Sequence, residues 1–514
     1  MSGGRAGAEY DVVIVGGGTA GCVMARRIAD AEPDVAICVI EGGRAFEHDP
    51  LVLGYHGSVP LLGNPTYDYD YAIAPQTRGN GRIRQSRAKM LGGCSGHNDT
   101  VAFIPPDRDL REWEDAGATG WGPGQCRPHY ARAARQVHVH RAPAGSACAR
   151  AVHAAALELG LPEVDVHGDD LVEGAGWLYL NERDEIRQST AVAYLYPLSE
   201  LPAGITLLLE TRASRIEVDA DGSARTVHTD RGMITARREL ILAAGAVDTP
   251  RLLLLSGIGP AADLATIGVD PVHDLPGVGS NLWDHVEIPL VIETDRPTGP
   301  SLQSAENGVF LRTRDGLDGF DAYAHVITQP YYAPLTVEGV DVAMPEHGFC
   351  IVPNVAKPRS VGELRLASAD PAAPPVIDPR YFTDPDGEDE RILVEAFRHA
   401  RRMVRETSLR DWAVREVAPV GESDAEIAAF VRESSNTVYH PSGTCRMGAA
   451  DDEAAVVDPT LRVRGLEGLR IADASVFPTI PSVNLCMTAI MVGERGAALV
   501  VDPGAARIAA DAAR

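Results

Sequence analysis

Gly16-Gly17-Gly18-Thr19-Ala20-Gly21 has the spacing G-x-G-x-x-G, and its positions have separate tasks in holding a dinucleotide. Gly16 permits a tight turn, Gly18 lets the backbone approach a pyrophosphate, and Gly21 lets a helix pack closely on a strand. Thr19 and Ala20 open that helix, whose free N–H groups attract phosphate. Glu41 follows Gly21 by twenty residues, where a carboxylate accepts hydrogen bonds from a ribose. A glycine turn in another α/β fold would share the glycines but not the acid in register. The motif alone does not separate FAD from NAD. Its position near residue 1 of a long chain favours FAD.

A second kind of chemistry comes from histidines. His440 lies in Asn436-Thr-Val-Tyr-His-Pro-Ser-Gly-Thr-Cys-Arg-Met-Gly448, and His97 in Met90-Leu-Gly-Gly-Cys-Ser-Gly-His-Asn98. A histidine titrates near neutrality and can take the proton of a hydroxyl. Taken alone, it reads equally as a core side chain bonded to a carbonyl. The eight cysteines, among them Cys94 and Cys445, form no C-x-x-C pair. They read as small buried side chains, and no metal site is expected.

These groups need a scaffold. Residues 10–15 (YDVVIV) are short, apolar and β-branched, as a fully buried strand is. Residues 22–29 continue as a helix and 35–40 as a second strand, which completes one βαβ unit. Helices are expected at 151–159, 250–255, 388–407 and 485–501. Residues 205–218 and 225–242 alternate as antiparallel strands do. Residues 43–130 are rich in Gly, Pro, Tyr and Asp and read as loops.

The 514 residues exceed one ordinary hydrophobic core and suit two joined domains. A formal net charge of −25 excludes non-specific nucleic-acid binding, which needs cations to displace counterions. No run of about 18 apolar residues marks a membrane span, and residues 1–5 lack the apolar stretch of a signal peptide. A cytoplasmic enzyme is the expectation.

Three stretches together resemble the glucose–methanol–choline (GMC) oxidoreductases. Residues 90–98 resemble their first signature, and Gly245-Ala-Val-Asp-Thr-Pro-Arg-Leu-Leu-Leu-Leu-Ser-Gly-Ile-Gly-Pro260 the second. Residues 436–448 with Leu469-Arg-Ile-Ala-Asp-Ala-Ser-Val-Phe-Pro478 resemble the C-terminal active-site region. Gly96-His-Asn98 and residues 437–441 look like the choline oxidase branch. The resemblance implies an α/β fold: a Rossmann-like FAD-binding domain with an inserted α+β substrate domain on an antiparallel sheet. It implies flavin segments at 1–157, 198–299 and 438–514, and substrate segments at 158–197 and 300–437. It implies oxidation of a primary alcohol, with His440 accepting the hydroxyl proton, Asn484 holding the oxygen and flavin N5 taking the hydride. Gly93, His97, Asn98, Asp473 and Ala474 would contact FAD, with His97 either bonded covalently to the flavin, as in the choline oxidase branch, or only packed on its ring. Asp473 could equally cap a helix. The expected partners are a small-molecule alcohol, oxygen or another electron acceptor, and a second copy of the chain. Two rival readings remain: a choline or amino-alcohol oxidase with a rearranged pocket, and a lyase, since some members of the family keep FAD for structure without net redox.

One part of the pattern departs from the branch. The aromatic box for a trimethylammonium head aligns with Ser58 and with Ser304-Ala305, and its glutamate with Pro300. Tyr439 of the box is kept, Glu306 stands close enough to be a substitute, and Asp99 follows Asn98 where a small hydroxyl residue is usual. Asp99 would bind a cationic or polyhydroxylated substrate, or face a structural arginine. The expectation is a larger polar or cyclic alcohol in place of choline.

Overall fold

The computed structural model describes residues 8–54, 58–142, 145–301, 305–331 and 333–502. β1 (Ala8–Val15), α1 (Thr19–Ala31) and β2 (Ile37–Ile40) form the expected βαβ unit, with Val12–Val15 parallel to Ile37–Ile40. Val12, Val13, Ile14, Ile37, Cys38 and Val39 are fully buried, which accounts for an apolar run without alternation.

The first sheet has seven strands. Ala213–Glu217, Thr226–Thr229, Gly232–Leu242, β1, β2 and Ile205–Leu208 follow in that order, and Leu469–Ile471 pairs with Gly232–Leu242. Gly232–Leu242 is long enough to serve two neighbours. Its first residues run antiparallel to Thr226–Thr229, and its end, Leu240–Leu242, runs parallel to Leu469–Ile471. The helix Cys486–Val501, buried along most of its length, packs on α1. Ile205–Leu208 differs from the sequence expectation. It joins β2 in parallel as the edge strand of the sheet.

The second sheet is antiparallel and has eight strands. Arg415–Glu416, Leu290–Glu293, Gly348–Val355, Ala322–Ile327, Ala305–Leu311 and Gly174–Trp177 follow in order. Val286–Glu287 bridges Gly348–Val355 and Asn436–Thr437. Residues 286–293 therefore belong with this sheet, not with the flavin segment that the sequence extends to 299. Their backbone pairs with Gly348–Val355. The helix Glu388–Glu406 covers the sheet, burying Leu393, Ala396, Phe397, Ala400 and Met403 at helical spacing. Glu388, Asp389 and Glu390 sit in its first turn, where the helix dipole favours acids.

The fingerprint turn separates two uses of glycine. A Cβ on Gly21 would stand 1.9 Å from Gly16 O, inside the packing of turn and helix. A Cβ on Gly18 would meet nothing nearer than Ala243 O at 3.5 Å, an ordinary contact. The fold itself requires glycine at 21 but not at 18. Gly21→Ala is expected to destabilise the chain by roughly 1–3 kcal/mol, the usual cost of overpacking, whereas Gly18→Ala lowers FAD content without lowering stability. Thermal denaturation of the two variants beside flavin-to-protein absorbance checks both outcomes.

Candidate active site

A cavity of about 580 Å³ runs from the fingerprint turn to the seam between the two sheets. Gly16, Gly18, Thr19, Ala20 and Glu41 line one end, and His440 and Asn484 the other. Between them lie Gly93, His97, Asn98, Asp99, Asp473 and Ala474. Gly21 packs inside the turn and does not line the cavity. Tyr439 lines the substrate end beside Ser58 and Ala305. Ser304 lies outside the described residues.

Glu41 is nearly buried. Gly17 N donates to its Oε2 at 3.0 Å and Gly43 N to its Oε1 at 2.7 Å. It thus ties the glycine turn to the end of β2, and each oxygen keeps a lone pair toward the cavity. Burial pushes its carboxyl up to about 7. Thr19 joins the turn to the first signature: Ser95 N donates to Thr19 Oγ1 at 3.2 Å. Asp473 takes Gly245 N at 2.8 Å, Thr249 Oγ1 at 2.6 Å and Ser475 N at 2.7 Å. It therefore caps the second-signature helix Gly245–Leu255 while its residue still lines the cavity.

His97 is buried, and its Nδ1 has no hydrogen-bond partner. Its Nε2 lies 3.4 Å from Ser86 Oγ. Burial, with Arg87 and Arg187 nearby, pulls its pKa down to about 3, so the ring is neutral. Asn98 accepts from Thr100 N through Oδ1, and Arg187 donates to both its carbonyl and its Oδ1.

The end of the cavity at His440 is set by a histidine pair. Val286–Glu287 pairs with Asn436–Thr437, which sets His285 beside His440. Their Nδ1 atoms are 2.8 Å apart. His285 Nε2 is 3.1 Å from the Ala356 carbonyl, which only accepts, so Nε2 carries the proton. Burial pulls His285 down to about 3, leaving its Nδ1 unprotonated as an acceptor. His440 must then donate from Nδ1 and keep a lone pair on Nε2. Burial first, then His285, His325 and Arg87, holds its pKa well below the ordinary value.

The backbone around His440 is fixed as firmly. Asp284 Oδ1 accepts from His440 N at 2.9 Å, while its Oδ2 accepts from Gln85 Nε2, Thr437 Oγ1 and Tyr381 Oη. Tyr439, just before His440, has φ +62, and Arg87 holds its carbonyl at 2.7 Å. Asn484 Oδ1 accepts from Tyr323 Oη at 2.8 Å and His325 Nε2 at 3.1 Å. With its oxygen so engaged, the amide NH₂ is left to donate.

Glu306 is not part of this site. It is 1% exposed, and its carboxylate accepts from Gly145 N and Ser146 N, closing the start of the helix Ala147–Glu158. Pro300 does not line the cavity either. The carboxylate that does is Glu287, which accepts from Tyr331 Oη at 2.6 Å and is pushed up to about 8 by burial. Asp99 also lines the cavity, its Oδ1 accepting from Ser58 N at 3.2 Å. Arg187, the arginine near it, spends its N–H groups on the carbonyls of Val52, Gly54 and Asn98. Sequence reasoning missed His285, His325, Asp284 and Glu287. The only signal was the density of polar residues in Trp283-Asp-His-Val-Glu287.

Residues 10–287 and 358–493 match the GMC oxidoreductase family. The chain is a GMC oxidoreductase. It is 40% identical to choline oxidase of Arthrobacter globiformis over 96% of this chain and 94% of that one. It is 31% identical to the mitochondrial choline dehydrogenase of Mus musculus over 96% and 89%. Pyridoxine 4-oxidase from Mesorbium loti shares the fold with a TM-score of 0.86 at 27% identity, over 95% of this chain and 98% of that one. The GMC oxidoreductase is thus an FAD-dependent enzyme of alcohol oxidation. Its residues fit that cofactor: a turn open at Gly18, a carboxylate at Glu41 and an unpartnered imidazole nitrogen at His97 all border one cavity.

His440→Ala is expected to slow the reductive step on the order of a hundredfold or more, the scale for a positioned base. FAD content should stay normal. Stopped-flow reduction of the flavin gives the rate, and an unchanged rate would remove His440 from the reaction.

Proposed function

We propose that this GMC oxidoreductase converts a primary alcohol, polar and larger than choline, to the aldehyde with His440 as the base. The observation that carries this reading is the His285–His440 pair, which leaves Nε2 of His440 free to accept a proton. The hydroxyl proton passes to that nitrogen while the Asn484 amide donates to the substrate oxygen. The carbon–hydrogen pair leaves as hydride, and the C=O bond forms from the oxygen's electrons. Bound FAD supplies the acceptor for that hydride. Gly16, Gly18, Thr19, Ala20 and Glu41 hold the dinucleotide, with the first sheet as the flavin part and the second as the substrate part.

Oxygen as the final acceptor is supported by the 40% identity with an oxidase. A covalent bond between His97 and the flavin is supported by a ring that is neutral, buried and free at Nδ1. If the bond exists, acid precipitation leaves the yellow colour with the protein. Complete release of FAD into the supernatant would make His97 a packing residue.

The substrate preference follows from the wall. Among the described residues the cavity is lined by Tyr69, Tyr331 and Tyr439 but by no tryptophan or phenylalanine. A quaternary ammonium over aromatic faces gains about 2 kcal/mol or more when desolvated, and about 1.4 kcal/mol is a factor of ten. Choline is therefore expected to show kcat/KM roughly tenfold or more below the best substrate. Anaerobic mixing with choline, sugar and aryl alcohols, scored by loss of flavin absorbance, tests the reading. Turnover of a cyanohydrin without bleaching would establish the lyase instead.

A further inference from the structure

Two carboxylates face the substrate end of the cavity, and they come from different parts of the fold. Asp99 follows the His97–Asn98 segment and is oriented by Ser58 N. Glu287 stands on the strand next to Asn436–Thr437 and is oriented by Tyr331 Oη. Both line the cavity that His440 lines. Among the described residues neither has an ion-pair partner within 4.0 Å: Arg187 is committed to three carbonyls, and Arg87 to those of Ser86 and Tyr439. The repulsion is felt, since Asp99 helps burial in raising Glu287.

Two acids in one poorly solvated cavity are costly to ionise together unless cations or donors meet them, and a bound cation draws Glu287 to its ionised form. The kind of cation follows from the wall. A quaternary ammonium has no N–H and gains from aromatic faces. A primary ammonium carries three donors on a compact charge and gains from carboxylate oxygens. This cavity has few aromatic faces and two carboxylates with acceptor sites to spare.

We propose that the site selects a primary alcohol bearing two primary ammonium groups, one held by Asp99 and the other by Glu287. The proposal rests on the alcohol-oxidation reading and deepens it by naming the substrate class. Asp99 acts on choice of substrate and not on the proton transfer, which belongs to His440.

The test uses the purified holoenzyme and four alcohols: hexan-1-ol, 2-aminohexan-1-ol, its N-trimethyl derivative and 2,6-diaminohexan-1-ol. The expected order in kcat/KM is the diamine first, then the monoamine, then the trimethyl and neutral alcohols. Each charged hydrogen bond contributes about a tenfold to hundredfold step. In Asp99→Asn the advantage of the diamine over the monoamine should shrink at least tenfold, through KM and not kcat. Asp99→Glu, which keeps the charge, should retain a preference for the diamine. Direct binding of 1,3-diaminopropane, measured by calorimetry on wild type and Asp99→Ser, gives a readout free of turnover. It should be tighter than tetramethylammonium in wild type and lose that advantage in the variant. Hexan-1-ol matching the diamine, tetramethylammonium binding as tightly as 1,3-diaminopropane, or an Asp99→Asn ratio equal to wild type would each overturn the proposal while alcohol oxidation stands. Failure of every alcohol to reduce the flavin would overturn the oxidation reading itself, and the calorimetry would still decide the ammonium preference.

Discussion

One nitrogen–nitrogen contact governs the site. His285 gives its only proton to the Ala356 carbonyl, so it can only accept at Nδ1, and His440 must donate there. That contact fixes the tautomer of His440, and burial keeps the ring neutral. A base in water would exchange tautomers freely and would be half protonated near pH 6.5. Here the fold removes both freedoms before any substrate arrives. The contact depends in turn on a two-residue ladder, Val286–Glu287 on Asn436–Thr437, and on the Asp284 carboxylate that holds the His440 backbone N–H.

The surroundings show how such a site stays buried. Asp284, Asp473 and Glu41 are enclosed carboxylates, and each is surrounded by donors from backbone or hydroxyl groups. Burial alone raises their pKa values, and the donors pull back toward the ionised form. These acids do structural work at the ends of turns and helices that would otherwise carry orphan N–H groups. Asp473 serves this purpose between the second signature and the C-terminal region, so the two motifs are mechanically one unit. Glu287 and Asp99 are different: each lines the open cavity, Asp99 oriented by Ser58 N and Glu287 by Tyr331 and Asn436.

The parts legible in the sequence are those whose evidence is local. The G-x-G-x-x-G turn, its strand and helix, and Glu41 lie within about thirty residues, and sterics inside that stretch demand their order. The helices Glu388–Glu406 and Cys486–Val501 follow from spacing that repeats every turn. Pairings across distant segments leave no such trace. His285 and His440 are 155 positions apart, and nothing in either stretch points to the other. The same gap explains the misplaced glutamate. Spacing suggested Glu306, but that side chain points toward the start of Ala147–Glu158, and a strand register nineteen residues earlier supplies Glu287 instead.

Two kinds of side chain meet at the cavity, and the fold treats them differently. His440, Asn484 and the glycine turn are held by hydrogen bonds from several elements at once, so altering one of them disturbs a network. The opposite wall is built from single side chains such as Ser58, Leu62, Asp99, Ala305 and Ile327, which few bonds constrain. A change there alters volume or charge without touching the base. The proton-accepting apparatus proposed around His440 can therefore stay constant while the recognised alcohol varies. An acidic wall beside a neutral histidine is compatible with this division, because the two share no hydrogen bond. The ammonium groups of a substrate would be bound where they cannot protonate His440, and its hydroxyl would be presented where only His440 and Asn484 can receive it.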